Sequence, residues 1–143
     1  MAKEVKLILM AVTAVVLVST RPAWAGGMKV IANPSVQAAS ITLAELKSVY
    51  MEEKNSLADG THVQPVVAKG GAAHEIFLRM YLDRSDPALQ IYYRSLVFTG
   101  KGSMPKAVQS DAEMVAYVAK TKGAIGYVTA NASVEGVKVL EVK

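Results

Sequence analysis

Apolar residues along this chain fall into short continuous runs that alternate with stretches of helical spacing. The runs at residues 28–32, 63–68, 124–128 and 137–142 have the length of buried strands. The first ends at Asn33-Pro34, and the second follows the turn signal Asp59-Gly60. Between them, Leu43, Leu46, Val49 and Tyr50 share one helical face, opened by the capping box Thr42-Leu43-Ala44-Glu45 with Ile41 and Leu46 placed as its staple. That helix is expected to fade over residues 52–55. Helical spacing returns at Ile76, Phe77, Met80 and Tyr81. Ser85-Asp86-Pro87 then stops one helix and starts another, with Pro87 expected at a first helical position. Leu89, Tyr92, Tyr93, Leu96 and Val97 form the clearest stripe in the chain, and it ends at Gly100. Residues 100–106 read as a loop. Ser110-Asp111-Ala112-Glu113 is a second capping box, leading a helix that carries Met114, Val115, Tyr117 and Val118. It closes on Lys120, Lys122 and Gly123. Strands alternating with helices predict an α/β fold, a three-layer sandwich whose small, mostly parallel sheet has helices on both faces. The tyrosine and methionine stripes read as core, not as a cofactor box.

The first residues change the picture of where the domain begins. Lys3 and Lys6 precede an apolar run at residues 7–18, and Ala23-Trp24-Ala25 follows. A charged head, a short apolar centre and an A-x-A site predict a secretory signal peptide over residues 1–25. The uninterrupted run is short for a permanent span, though a retained N-terminal anchor is the alternative. The single domain is then residues 26–143. The 143-residue chain has no cysteine, which excludes disulfides and thiolate metal sites. Export without disulfides fits a bacterial periplasm, where the sequon Asn131-Ala132-Ser133 goes unused. Losing the leader removes Lys3, Lys6, Arg21 and Glu4, lowering the formal charge of +4 by two. Such mild, scattered charge without interleaved aromatics argues against nucleic acid.

The most informative chemistry lies at residues 66–77. Val66-Val67-Ala68 is an apolar strand, Lys69-Gly70-Gly71 a glycine turn, and Ala72-Ala73-His74-Glu75-Ile76-Phe77 the opening of an amphipathic helix. First-turn N–H groups lack internal partners and carry the positive end of the helix dipole. Glycines let an anion approach them, and Lys69 adds charge at the lip. A plain strand-to-helix connection that binds only water is the alternative.

The order of these pieces resembles the phosphate-binding proteins of phosphate ABC transporters, a branch of the type II periplasmic binding fold, and in particular their short, single-lobe members. The similarity runs over residues 28–128. Its most specific part is Gly123-Ala124-Ile125-Gly126-Tyr127-Val128 after a capped helix. In that family the turn carries a Gly-Ser-Gly-Thr-Arg type signature whose hydroxyls, arginine and amides hold phosphate. Here the turn corresponds to Lys69-Gly70-Gly71-Ala72-Ala73-His74. Gly71 and Ala73 stand at the hydroxyl positions and His74 at the arginine. Leu57 stands where relatives often have tryptophan. The resemblance therefore carries over the backbone half of the site and not the side-chain half.

The expectation is an exported, non-enzymatic domain for a small oxyanion, phosphate foremost. Gly70, Gly71, Ala72 and Ala73 offer amides, and Lys69 and His74 supply charge. The loop after the first strand, with Asn33 and Ser35, is expected at the same end of the sheet, where ligands sit beyond carboxyl ends of strands. Lys101 and Lys106 are further cations for an anion. The alternative for His74 is a surface residue, and for His62 a structural or solvated one. Two histidines without paired carboxylates predict no metal, and no cofactor is implied. No Gly-x-Ser-x-Gly elbow appears, Ser103 lacks a base, and Gly100-Lys101-Gly102-Ser103 misses phosphate-loop spacing. The larger partners left open are an ABC transporter or a second copy of the chain, without stable membrane insertion once the leader is cleaved. The competing reading is a periplasmic protein-interaction module that kept the lobe and lost the ligand.

Overall fold

The computed structural model describes residues 27–143, so the leader expected at residues 1–25 lies outside the described part. The elements run β1 (Met28–Ala32), β2 (Ser40–Ile41), α1 (Leu43–Tyr50), β3 (Gln64–Ala68), α2 (Ala72–Phe77), α3 (Asp86–Phe98), β4 (Lys106–Val108), α4 (Asp111–Lys120), β5 (Ala124–Thr129) and β6 (Lys138–Val142). One π-helical turn, Leu78–Leu82, prolongs α2 and ends at Asp83 in the left-handed region (φ 50°). No helix among the described residues is long and apolar enough to cross a membrane.

The caps form as the sequence predicts. Thr42 Oγ1 accepts from Glu45 N (3.1 Å) and Glu45 reaches back to Thr42 N (3.3 Å). Ser110 Oγ accepts from Glu113 N (3.1 Å), but the Glu113 carboxylate takes Gln109 N (3.0 Å) instead of the cap's own N–H. Ser85 caps α3, and Pro87 falls at its second helical position, one residue later than predicted. Two strands come from outside the expected set. Ser40–Ile41 was too short to show a period, and Lys106–Val108 lies in and just after what reads as loop.

The strands lie in the order β2-β6-β1-β5-β3-β4. Three neighbouring pairs are parallel, and β1 runs antiparallel to both of its neighbours. Helices cover both faces, giving the three layers predicted. On one face Leu46, Tyr50, Phe77, Leu89, Tyr93 and Tyr127 interlock. On the other, α4 sets Met114 and Val118 over Ile31, Val66, Val108 and Val128. Tyr50 is fully buried and donates to Val66 O (3.0 Å) and Ile125 O (3.1 Å), while the Tyr93 hydroxyl donates to Tyr50 O (2.6 Å). These bonds satisfy phenols that burial would otherwise penalise. The expected stripe on α3 is narrower than its spacing: Leu89 and Tyr93 are buried, but Val97 is half exposed.

Register fixes which loops share an end. Ala32 pairs with Ile125, and Ile125 pairs with Pro65, so β1 finishes where β3 starts. The turn at Gly70 and Gly71 follows the far end of β3, roughly 15 Å away along the strand.

Candidate functional site

The β3–α2 turn is built as its residues dictate. Ala68 closes the strand, and Lys69 N donates to Val108 O (2.8 Å) at the end of β4. Gly71 then caps α2 at φ 96° and ψ 172°, a conformation open to glycine alone. It contributes no side-chain cap, and the first bond back to the turn is Glu75 N to Gly71 O (3.1 Å). The amides of Ala72, Ala73 and His74 are thereby left as free first-turn donors. Lys69, Gly70, Gly71 and Ala72 are exposed, and Ala73 is buried. The turn is open to solvent at Gly70 and Gly71, with Lys69 exposed beside it.

The side chains are arranged differently from the expectation. His74 is 2% exposed, so it is not a free surface cation. Its Nδ1 lies 2.6 Å from the Tyr127 hydroxyl and its Nε2 2.7 Å from Asp86 Oδ1. A carboxylate only accepts, which assigns a proton to Nε2; in the neutral ring Nδ1 then accepts from the tyrosine. Tyr127 also accepts from Ala68 N (2.9 Å). The result is one hydrogen-bonded chain from the end of β3 through β5 and α2 to the start of α3. Burial pushes the Tyr127 hydroxyl well above the usual phenol range, against the Ala68 N–H that lowers it, so the chain keeps its proton. Tyr127 also stacks on Phe77, with ring centroids 4.0 Å apart and planes 7° apart. Position explains the meeting: the β3–β5 ladder ends at Pro65 and Ile125, and beyond it the Tyr127 hydroxyl takes Ala68 N at the end of β3.

Asn33 and Ser35 do not join the turn. They sit at the opposite end of the sheet, because β1 is antiparallel to β5. Asn33 is 7% exposed; its Nδ2 donates to Val118 O (2.8 Å) and Ala119 O (3.0 Å), and its Oδ1 accepts from Ser35 N (2.9 Å). Ser35 Oγ accepts from Gly123 N (2.9 Å). Both residues finish α4 and hold the entry to β5. Lys106 also lies away from the turn, near the start of its strand, with Nζ 5.5 Å from the centroid of the Tyr117 ring. It lines a cleft of about 290 Å³ together with Glu52, His62 and Ser103. Lys101 lines a neighbouring one of about 440 Å³ with Glu52, Glu53 and Lys54. Burial raises the Glu52 carboxyl above its ordinary range there. No group of three metal-ligating side chains occurs among the described residues.

What the sequence reading missed is a depression of about 350 Å³ next to the turn, lined by Gly70, His74, Glu75, Leu78, Arg79, Arg84, Ser85 and Asp86. Two arginines and two carboxylates line it, and Arg84 also lies 5.2 Å above the Tyr92 ring. The π-helical turn and left-handed Asp83 bring Arg84 there. No spacing in the sequence signals that reversal.

Neither a protein-family profile nor any curated protein matches the chain. Solved structures do. An ABC-type phosphate transport receptor from Vibrio cholerae matches at TM-score 0.61 and 14% identity, over 81% of this chain and 46% of that one. PstS from Borrelia burgdorferi matches at 0.61 and 14%, over 82% and 47%. A candidate phosphate ABC transporter substrate-binding protein from Clostridium perfringens, solved with bound phosphate, matches at 0.61 and 15%, over 81% and 44%. The chain thus spans less than half the length of these neighbours. Its architecture is that of the phosphate ABC transporter substrate-binding proteins, a PstS-like fold in a shorter chain.

Proposed function

We propose that this domain binds a small oxyanion, phosphate foremost, at the β3–α2 turn, and that it acts without catalysis in an exported setting linked to phosphate ABC transport. The observation that carries the reading is the set of free amides at Ala72, Ala73 and His74 beneath an exposed Gly70-Gly71 cap. The kinship of fold with proteins named for phosphate binding supports it. Lys69 supplies mobile charge at the lip, and His74 acts from below by fixing the helix start, not by touching the ligand. Asn33 and Ser35 have no part in the site.

Affinity is set by what is missing. A helix N-terminus contributes roughly 0.3–1 kcal/mol toward an anion, and each charged hydrogen bond about 1.5–3 kcal/mol before desolvation. Without hydroxyls or a direct arginine the sum suits millimolar binding, about 4 kcal/mol. Amide NMR with inorganic phosphate tests this: the peaks of residues 70–74 are expected to shift together and saturate in the millimolar range. Lys69→Gln is expected to weaken the titration. No movement of those peaks at tens of millimolar phosphate or sulfate overturns the proposal.

A second reading is favoured by one observation, the complete engagement of the His74 ring by Tyr127 and Asp86. In it the lobe is retained as a protein-interaction module and the turn is silent. The same titration separates the two.

A further inference from the structure

We infer that the outer face of α3 docks on an anionic lipid surface. The helix turns Leu89 and Tyr93 into the core. Ile91 and Phe98, seven residues apart and so on one face, point the opposite way at 66% and 92% exposure, while half-exposed Val97 lies on the flank nearer the core. A phenylalanine so exposed contributes nothing to the fold, and its pairing with Ile91 on one helix face makes a contiguous apolar spot instead of a single scattered residue. Arg94 is exposed between Ile91 and Phe98. After Gly100 (φ 69°) the chain folds back, Lys101 N donating to Leu96 O (2.9 Å), which keeps a second cation at the helix end. Residues 87–110 contain no Asp or Glu; of their three cations, Arg94 is on α3 and Lys101 at its end, while Lys106 sits over Tyr117.

Charge selects the occupant. Of the carboxylates nearest in the fold, Asp86 bonds His74, Glu52 is half-buried in the cleft beside Gly102, and Glu53 is exposed in that same cleft with Lys54 and Lys101, off the outer face of α3. What faces outward on α3 is apolar and cationic, the pairing that anionic headgroups above acyl chains accept. A second copy fits poorly. Two α3 helices packed across a two-fold axis would match Ile91 with Phe98 but would set Arg94 against Arg94 at the centre. This inference is independent of the oxyanion reading.

The absence of cysteine allows a single reporter. Ser95→Cys, exposed on the same face, would carry an environment-sensitive fluorophore; Asn131→Cys, on the α4 side of the sheet, is the control. Vesicles of phosphatidylcholine with roughly one-third phosphatidylglycerol are expected to raise and blue-shift emission at position 95 and not at 131. Pure phosphatidylcholine is expected to do neither, and added salt to reverse the effect. Phe98→Ser in the Ser95→Cys background is expected to weaken binding about tenfold, and Arg94→Gln several-fold. Equal signals at both positions, as attachment through the N-terminal segment would give, overturn the proposal. So does indifference to Phe98→Ser, or an emission change that needs only more protein and no vesicles.

Discussion

His74 Nε2 and Asp86 Oδ1 lie 2.7 Å apart, and this bond ties the first turn of α2 to the first turn of α3. The two ends are not equal. His74 is buried with both nitrogens bonded, whereas the Asp86 side chain is 45% exposed and water can replace it. His74→Ala leaves a cavity and takes the acceptor from the buried Tyr127 O–H, so a loss of about 2–4 kcal/mol is expected. Asp86→Asn is expected to cost about 1 kcal/mol or less. Urea unfolding of both variants checks the order, and the reverse order would contradict the geometry.

Alkaline pH tests the buried phenols. Burial raises the hydroxyls of Tyr50, Tyr93 and Tyr127 well above the usual value of 10.0. Unfolded tyrosines therefore ionise first, and above about pH 10 the unfolded chain holds fewer protons than the folded one. The stabilisation is complete below that pH and is lost as pH rises through the folded values. Each tyrosine contributes a slope of up to about 1.4 kcal/mol per pH unit. Denaturant midpoints between neutral pH and strong alkali are expected to fall steeply, and Tyr93→Phe to flatten the fall.

Gly123, just before β5, and Gly126, within it, differ in what they tolerate. A Cβ on Gly123 would come within 2.5 Å of the His62 carbonyl oxygen, at φ 74°. Backbone cannot move aside, so Gly123→Ala is expected to cost about 3 kcal/mol or more. A Cβ on Gly126 would meet Met114 Sδ at 2.5 Å, the end of a flexible side chain. Gly126→Ala is expected to cost about 1–3 kcal/mol. Thermal unfolding of the pair reads the difference.

Much of the layer architecture was legible because its signals are local. The capping residues Thr42, Ser85 and Ser110 stand next to the apolar periods they start, and Gly70-Gly71 announces its turn within a few residues. The site's side chains were not legible, because their partners are set by register. Nothing near His74 in sequence points to Tyr127, 53 positions on. The Gly123-to-Val128 segment that carried the resemblance did contain the answer: its tyrosine supports Ala68 and His74 together. The misplacement of Asn33 has the same origin. Whether β1 runs with or against β5 is decided by the crossovers, and that direction moved the loop to the other end of the sheet.

Asn33 offers a control that separates stability from ligand binding. Its amide closes the carbonyls of Val118 and Ala119. Asn33→Ala is expected to cost about 2 kcal/mol through those unpaired groups. The phosphate titration of residues 70–74 is expected to be unchanged in the folded variant. A weakened titration would return the first loop to the site.

The outermost strands, β2 with two residues and β4 with three, leave almost no exposed ladder for another chain to extend. Stray edge-to-edge stacking, the usual route from an open sheet to fibrils, is blunted by this brevity. A chain without covalent crosslinks is thereby protected from templated polymerisation while its helical surfaces stay available for contact.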